Sequence, residues 1–200
     1  MKRCLVALHA FLCFALFFPL SALAQSDESG KYDAGSFTIT PPEGWILVSG
    51  SLGEKELAKL PENIREHYNA RNTDVLFMNI AGLDQQPTQG FKDSLNVVTV
   101  AEQIPLTDDL VKELTDVLKQ QYKGMFVNFA SSSMEKTKIG ARDVFEVKGS
   151  YTILNYSIMM RQVFIPLSNA SLVMTCTYES SHEDTVAELC DKAIRSLEVK

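Results

Sequence analysis

Outside its first residues, the chain's candidate reactive groups are few: Cys176, Cys190, His67, His182 and some paired carboxylates. The cysteines are spaced Cys-x13-Cys. That is far wider than the Cys-x-x-Cys of a thiol oxidoreductase, in which a helix N-terminus lowers one thiol pKa. Leu172, Met174, Cys176 and Tyr178 alternate along one face of a strand, and Cys190 falls on the apolar face of the helix expected next. A helix folded back over that face brings the two sulfurs together. The alternatives are a disulfide, which persists in an oxidising compartment, and two thiols buried in an ordinary core. A bridge closing so short a loop contributes about 3 kcal/mol.

Other chemistries find little support. Two cysteines cannot complete a four-ligand structural zinc site, and neither histidine has a ligand-like spacing to a cysteine. No Gly-x-Ser-x-Gly elbow accompanies the many serines. His67, between Glu66 and Tyr68, reads as a solvated histidine on a charged helix, and His182 also falls in an expected helix. The pairs Asp108-Asp109 and Glu183-Asp184 begin helices, where the dipole favours negative charge. There is no twelve-residue calcium loop and no glycine-rich phosphate cradle. The sequence therefore leads us to expect no catalytic residue, no metal and no cofactor.

The elements that hold these groups follow from periodicity. Phe37–Ile39 alternates as a short strand. Pro41-Pro42-Glu43-Gly44 turns the chain, and Trp45–Val48 starts a second strand. Trp45, the single tryptophan, reads as a packing landmark that anchors this turn; the rival is a ligand-stacking ring at the surface. A helical pattern over Gly53–Ala70 contains Pro61, and a loop covers Gly82–Gly90. Strands are expected at Val75–Ile80 and Leu95–Val100. Thr107 caps the clearest helix, with Leu110, Val111, Leu114, Val117, Leu118 and Tyr122 on one face and Gly124 as its stop. Four strands follow: Met125–Ser132, Ala141–Lys148, a long Thr152–Ile165 and Ser171–Tyr178. A last helix, capped by Ser180 or Ser181, buries Val186, Leu189, Cys190, Ala193, Ile194 and Leu197. This order is α+β: an antiparallel sheet covered by helices.

The first residues read as an export signal. Lys2 and Arg3 precede an uncharged run, Leu5–Leu20, and Ala22-Leu23-Ala24 supplies small residues for cleavage between Ala24 and Gln25. A retained membrane anchor is the alternative; the run is short for a spanning helix. We divide the chain into a signal at 1–24, a disordered stretch at 25–35 and one domain at 36–200, in the periplasm or secreted. The net charge of −6 becomes −8 once Lys2 and Arg3 are removed, leaving 17 basic against 25 acidic residues. Such a balance disfavours nucleic acid and anionic lipid as partners.

Three stretches carry a family likeness: "FTITPPEGW" (Phe37–Trp45), "DSLNVVTV" (Asp93–Val100, with Asn96 as its landmark) and the terminal meander plus helix. In their order the chain resembles the superfamily of PsbP, an extrinsic protein of photosystem II, and the DcrB-like bacterial envelope proteins. The resemblance implies an α/β/α sandwich around a central antiparallel sheet. It implies no single activity, because a fold does not determine function. Three functions are compatible with it: an exported, non-enzymatic binding or assembly protein that docks a protein partner or small ligand; an envelope immunity or toxin-binding protein; and a hydrolase or metal-dependent enzyme with its site in a cleft.

Overall fold

A computed structural model describes residues 30–48, 73–79, 91–153 and 155–200. The expected signal and its cleavage site, the helix at 53–70 with His67, and the loop at 82–90 lie outside these residues.

The main sheet has seven strands, all antiparallel. They are β3 (Trp45–Val48), β4 (Thr73–Asn79), β5 (Ser94–Val100), β6 (Val127–Ile139), β7 (Arg142–Ile153), β8 (Tyr156–Pro166) and β9 (Ser171–Glu179), in the spatial order β3-β4-β5-β9-β8-β7-β6. The four-strand meander thus forms one side of the sheet, and β9 lies at its centre. A second, three-stranded sheet joins β1 (Tyr32–Asp33), β2 (Phe37–Ile39) and β10 (Glu198–Val199).

Two helices among the described residues cover this sheet. Helix α1 (Asp108–Met125) puts Leu118 and Tyr122 against Phe145, Val147, Ile158, Met160, Phe164 and Val173 on one face of the main sheet. Helix α2 (Glu183–Arg195) puts Val186, Cys190, Ala193 and Ile194 on the other face, beside Phe37 and Ile39 of the small sheet. Full burial of each Val, Leu, Ile, Phe or Met side chain among them is worth roughly 1.5–3 kcal/mol. The layered antiparallel architecture expected from the sequence is the one observed.

Several local expectations need correction. Tyr32–Asp33 is not disordered: it pairs with β2, its backbone bonds taken up by Phe37–Ile39. The long strand expected at Thr152–Ile165 is divided between two strands, the end of β7 at Ile153 and β8 from Tyr156. Apolar residues on both sides of Asn155 hid that division. Strands β6 and β7 outrun their expected ends, because register-matched pairing from Ile139↔Arg142 back to Val127↔Thr152 carries the polar serines along. Gly124 does not stop α1; the helix runs to Met125 and Phe126 caps it through its N–H to the Tyr122 carbonyl (2.8 Å). No serine side chain caps α2. Ser180–His182 winds into a 3₁₀ turn, and His182 occupies the N-cap position without a side-chain cap bond.

Trp45 is 8% exposed and packs in the core that α2 covers. Its N–H donates to the Pro42 carbonyl (3.1 Å), closing a turn whose Gly44 has φ 78°. Glycine takes that backbone conformation without the Cβ clash other residues meet. The tryptophan is therefore a packing residue.

Gly149 has a different role. A Cβ there would lie 2.8 Å from the Ala130 carbonyl oxygen and 3.1 Å from the Phe129 ring. The bare backbone lets that ring lie across β7, edge-on to Tyr122 at 5.0 Å. We expect Gly149→Ala to destabilise the domain by about 1–3 kcal/mol, the usual cost of overpacking. Urea unfolding measures it; an unchanged midpoint would mean that β6 shifts freely away.

Candidate functional site

Three polar clusters stand out in a mostly apolar interior. The first surrounds the cysteines. Cys176 on β9 and Cys190 on α2 are fully buried, with Cα atoms 6.2 Å apart and their sulfurs at bonding distance. That Cα separation lies within the disulfide range. Helix α2 does fold back over the Leu172-Met174-Cys176-Tyr178 face, as the alternation requires.

Beside Cys176 in register is Arg161 of β8. Its Nε donates to Glu146 Oε1 of β7 and its Nη1 to Asp191 Oδ1 of α2, both at 2.7 Å. Arg195 Nε donates to the other Asp191 oxygen (2.7 Å), and Lys148 pairs with Glu146 Oε2 (3.1 Å). Arg161 thus ties two strands to the helix next to the cysteine pair. Glu146 is buried, and its two oxygens are divided between Arg161 and Lys148, so truncating Arg161 removes one of its two cationic partners. Burial pushes the Asp191 carboxyl up, but the hydrogen bonds and charges of Arg195 and Arg161 outweigh it and hold it below its ordinary value.

The second cluster is a carboxylate–imidazole pair. Asp93, 2% exposed, accepts from the Glu179 N–H (3.1 Å), from Asn79 Nδ2 (3.2 Å) and from His182 Nδ1 (2.9 Å to Oδ2). The His182 side chain is 45% exposed. A carboxylate that accepts from Nδ1 orients the ring and leaves Nε2 as the basic nitrogen. The sequence reading placed His182 in a helix and missed this pair. The partners lie 89 positions apart, and no local spacing links them.

The third cluster crosses the sheet beneath α1. Tyr122 donates from Oη to Gln162 Oε1, and Gln162 Nε2 donates to Thr175 Oγ1 (2.7 Å). Burial raises the Tyr122 pKa, so the phenol stays neutral and remains a donor. Asn96, in register with Thr175, extends this row; its Oδ1 is buried and has no partner among the described residues. Ser94 and Thr177 share a hydrogen bond (3.0 Å) one step along the strands.

The sequence landmarks are therefore dispersed. Cys176 and Cys190 meet beneath α2, Trp45 packs in the same core, and Asn96 belongs to the polar row on the opposite face. Among the described residues, no group of three or more His, Cys, Asp or Glu side chains is placed to hold a metal ion. No helix among them is long and apolar enough to cross a membrane.

This arrangement of sheet, small sheet and two helices is a PsbP-like α+β fold. The cyanobacterial PsbP of Synechocystis (CyanoP) shares it, with 16% identity over 88% of this chain and 91% of that one at a TM-score of 0.51. LpqN of Mycobacterium tuberculosis, described as involved in cell envelope biogenesis, is 14% identical over 82% of this chain and 83% of its own at a TM-score of 0.48. A protein of unknown function from Pseudomonas aeruginosa is 16% identical over 62% and 81%, also at 0.48. No known protein family and no curated protein matches the chain by sequence.

Two measurements test the cysteine cluster. The intact mass of the purified chain is expected to fall two hydrogens below the reduced value and to shift on alkylation only after reduction. Cys190→Ser is expected to cost about 3 kcal/mol for a loop of this length. Two alkylatable thiols without reductant would overturn the bridge. Acid unfolding tests Asp191. Its folded-state pKa is depressed, so its contribution is present above the ordinary carboxylate pKa of about 4 and is lost as pH falls through the folded value. Asp191→Asn is expected to flatten the acid limb of the stability profile and leave its alkaline limb in place.

Proposed function

We propose that this is an exported, non-enzymatic binding or assembly protein whose signal is cleaved between Ala24 and Gln25. The observation that carries the reading is Cys176 placed against Cys190 inside the core. A pair so placed suits a chain that matures where disulfides persist. The likeness of fold to cyanobacterial PsbP over most of both chains supports the same reading. The buried polar groups described above each hold structural elements together: Arg161 joins β7 and β8 to α2, and Asp93 joins β4 and β5 to the β9–α2 corner. A protein partner or a small ligand then docks on the surface of a braced scaffold.

One observation favours a second reading. Asp93 orients the half-exposed His182 as an acid–base pair is oriented in hydrolases. The two readings separate experimentally. N-terminal sequencing and fractionation are expected to find a chain beginning at Gln25 in the envelope or medium. Affinity purification from that fraction is expected to recover one partner or ligand in stoichiometric amount. Turnover of a generic ester or peptide that His182→Ala abolishes would overturn the non-enzymatic reading.

A further inference from the structure

Cys176 and Cys190 are each 0% exposed. They share one core with Phe37 and Ile39 of β2, Trp45 of β3, Leu95 of β5 and Val186 and Ile194 of α2. Thiol–disulfide exchange requires one sulfur to attack another, so its rate depends on access. Sulfurs with no exposed surface offer no approach while this core is closed.

The core closes in two unequal steps. The cysteines are 14 positions apart, so β9 and α2 bring them together locally. Phe37 and Ile39 come from the opposite end of the domain, and their strand is completed by β10, the last element of the chain. The contact between the cysteines also does not depend on a bond between them. Arg161, in register with Cys176, donates to Asp191, the residue after Cys190 (2.7 Å). Asp93 holds His182 at the start of the same helix. These attachments seat α2 over two thiols as well as over a bridge, so the domain can close on either state.

We propose that closure of the domain locks the redox state of Cys176 and Cys190, so that an oxidant acts on the chain only before closure. The inference rests on the reading of the chain as exported, which delivers it to an oxidising compartment. The step is exchange with a disulfide oxidant. One cysteine thiolate attacks the oxidant, forms a mixed disulfide and releases one thiol. The other cysteine thiolate attacks the cysteine sulfur of that mixed disulfide and releases the second. Two protein thiols become one disulfide, and the oxidant's disulfide becomes two thiols. After closure, this exchange and its reverse both wait on opening of the core.

Exchange kinetics on the full mature chain test the lock. The chain is reduced with dithiothreitol in urea, or oxidised there with oxidised glutathione, and each form is refolded and freed of reagent. Oxidised glutathione is then added to the folded thiol form and dithiothreitol to the folded bridged form, and acid-quenched samples are weighed intact. Both exchanges are expected to run at least about 100-fold slower than in unfolding urea. Both are expected to accelerate with urea below the unfolding transition, because they follow opening. Smaller protection overturns the lock, as do rates that stay flat in urea, which mean that reagents reach the sulfurs in the closed fold. So does a reduced chain that fails to regain the circular dichroism spectrum of the bridged form. Export is judged separately, by N-terminal sequencing: a chain from its native fraction that still begins before Gln25 counts against that reading, and the exchange rates still decide the lock.

Discussion

The structure depends on the burial of β9 on both faces. Eight of its nine residues, Ser171 to Tyr178, are buried, and it is hydrogen-bonded to β5 on one side and β8 on the other. A strand in that position cannot leave either face to water, so the sheet must carry a layer on each side. The two faces make different demands. Leu172, Met174, Cys176 and Tyr178 are met by α2 and the small sheet, which bury them as a mainly apolar core. Ser171, Thr175 and Thr177 point the other way with Val173, and each hydroxyl has a partner: the Ile104 N–H for Ser171, Gln162 for Thr175 and Ser94 for Thr177. An unpaired hydroxyl there would cost about 1–3 kcal/mol, so these partners are conditions of the strand's position.

The clusters around β9 also define how α2 is seated. The helix is held at its start by the Asp93–His182 pair, in its middle by Cys190 against Cys176 and after that by Asp191, which accepts from Arg161 of β8. All three attachments lead to β9 or its immediate neighbours in the sheet. Helix α1 shows no comparable set of ion pairs among the described residues. Thr107 caps its first turn through the Leu110 N–H (3.4 Å), and below that it is fixed by packing, by Tyr122 bonded to Gln162 and by stacking of Phe126 on Tyr151 (4.1 Å). The two helices are thus attached by different physics: one by charge and the buried cysteine contact, the other by aromatic contact.

Local pattern carried much of this fold. Alternation located β2, apolar β-rich runs located β3 and β5, and helical spacing located α1 and α2, each helix burying one face with its own period. The Cys176–Cys190 approach was legible for the same reason: both residues lie on apolar faces of adjacent elements. What escaped reading depends on residues distant in sequence. The pairing of β1 and β10 with β2 has no local signal, since two-residue strands have no period. Asp93 looks like an ordinary turn carboxylate until β9 returns beside β5. The division between β7 and β8 escaped notice because the strands on both sides are apolar on both faces, as interior strands of a covered sheet are.

The small sheet has a consequence for the order of events. Phe37 and Ile39 are fully buried, yet one edge of their strand is completed by Glu198–Val199, and the Lys200 N–H reaches the Ser36 carbonyl at 3.0 Å. Lys31 and Glu198 (2.8 Å) and Lys200 and Asp33 (2.6 Å) pair across the same junction. A chain delivered from its N-terminus presents these early apolar residues long before their last covering strand arrives. Contacts of such sequence separation close late, since the entropy of the intervening loop must be overcome first. The closing step of folding therefore waits on Glu198–Lys200.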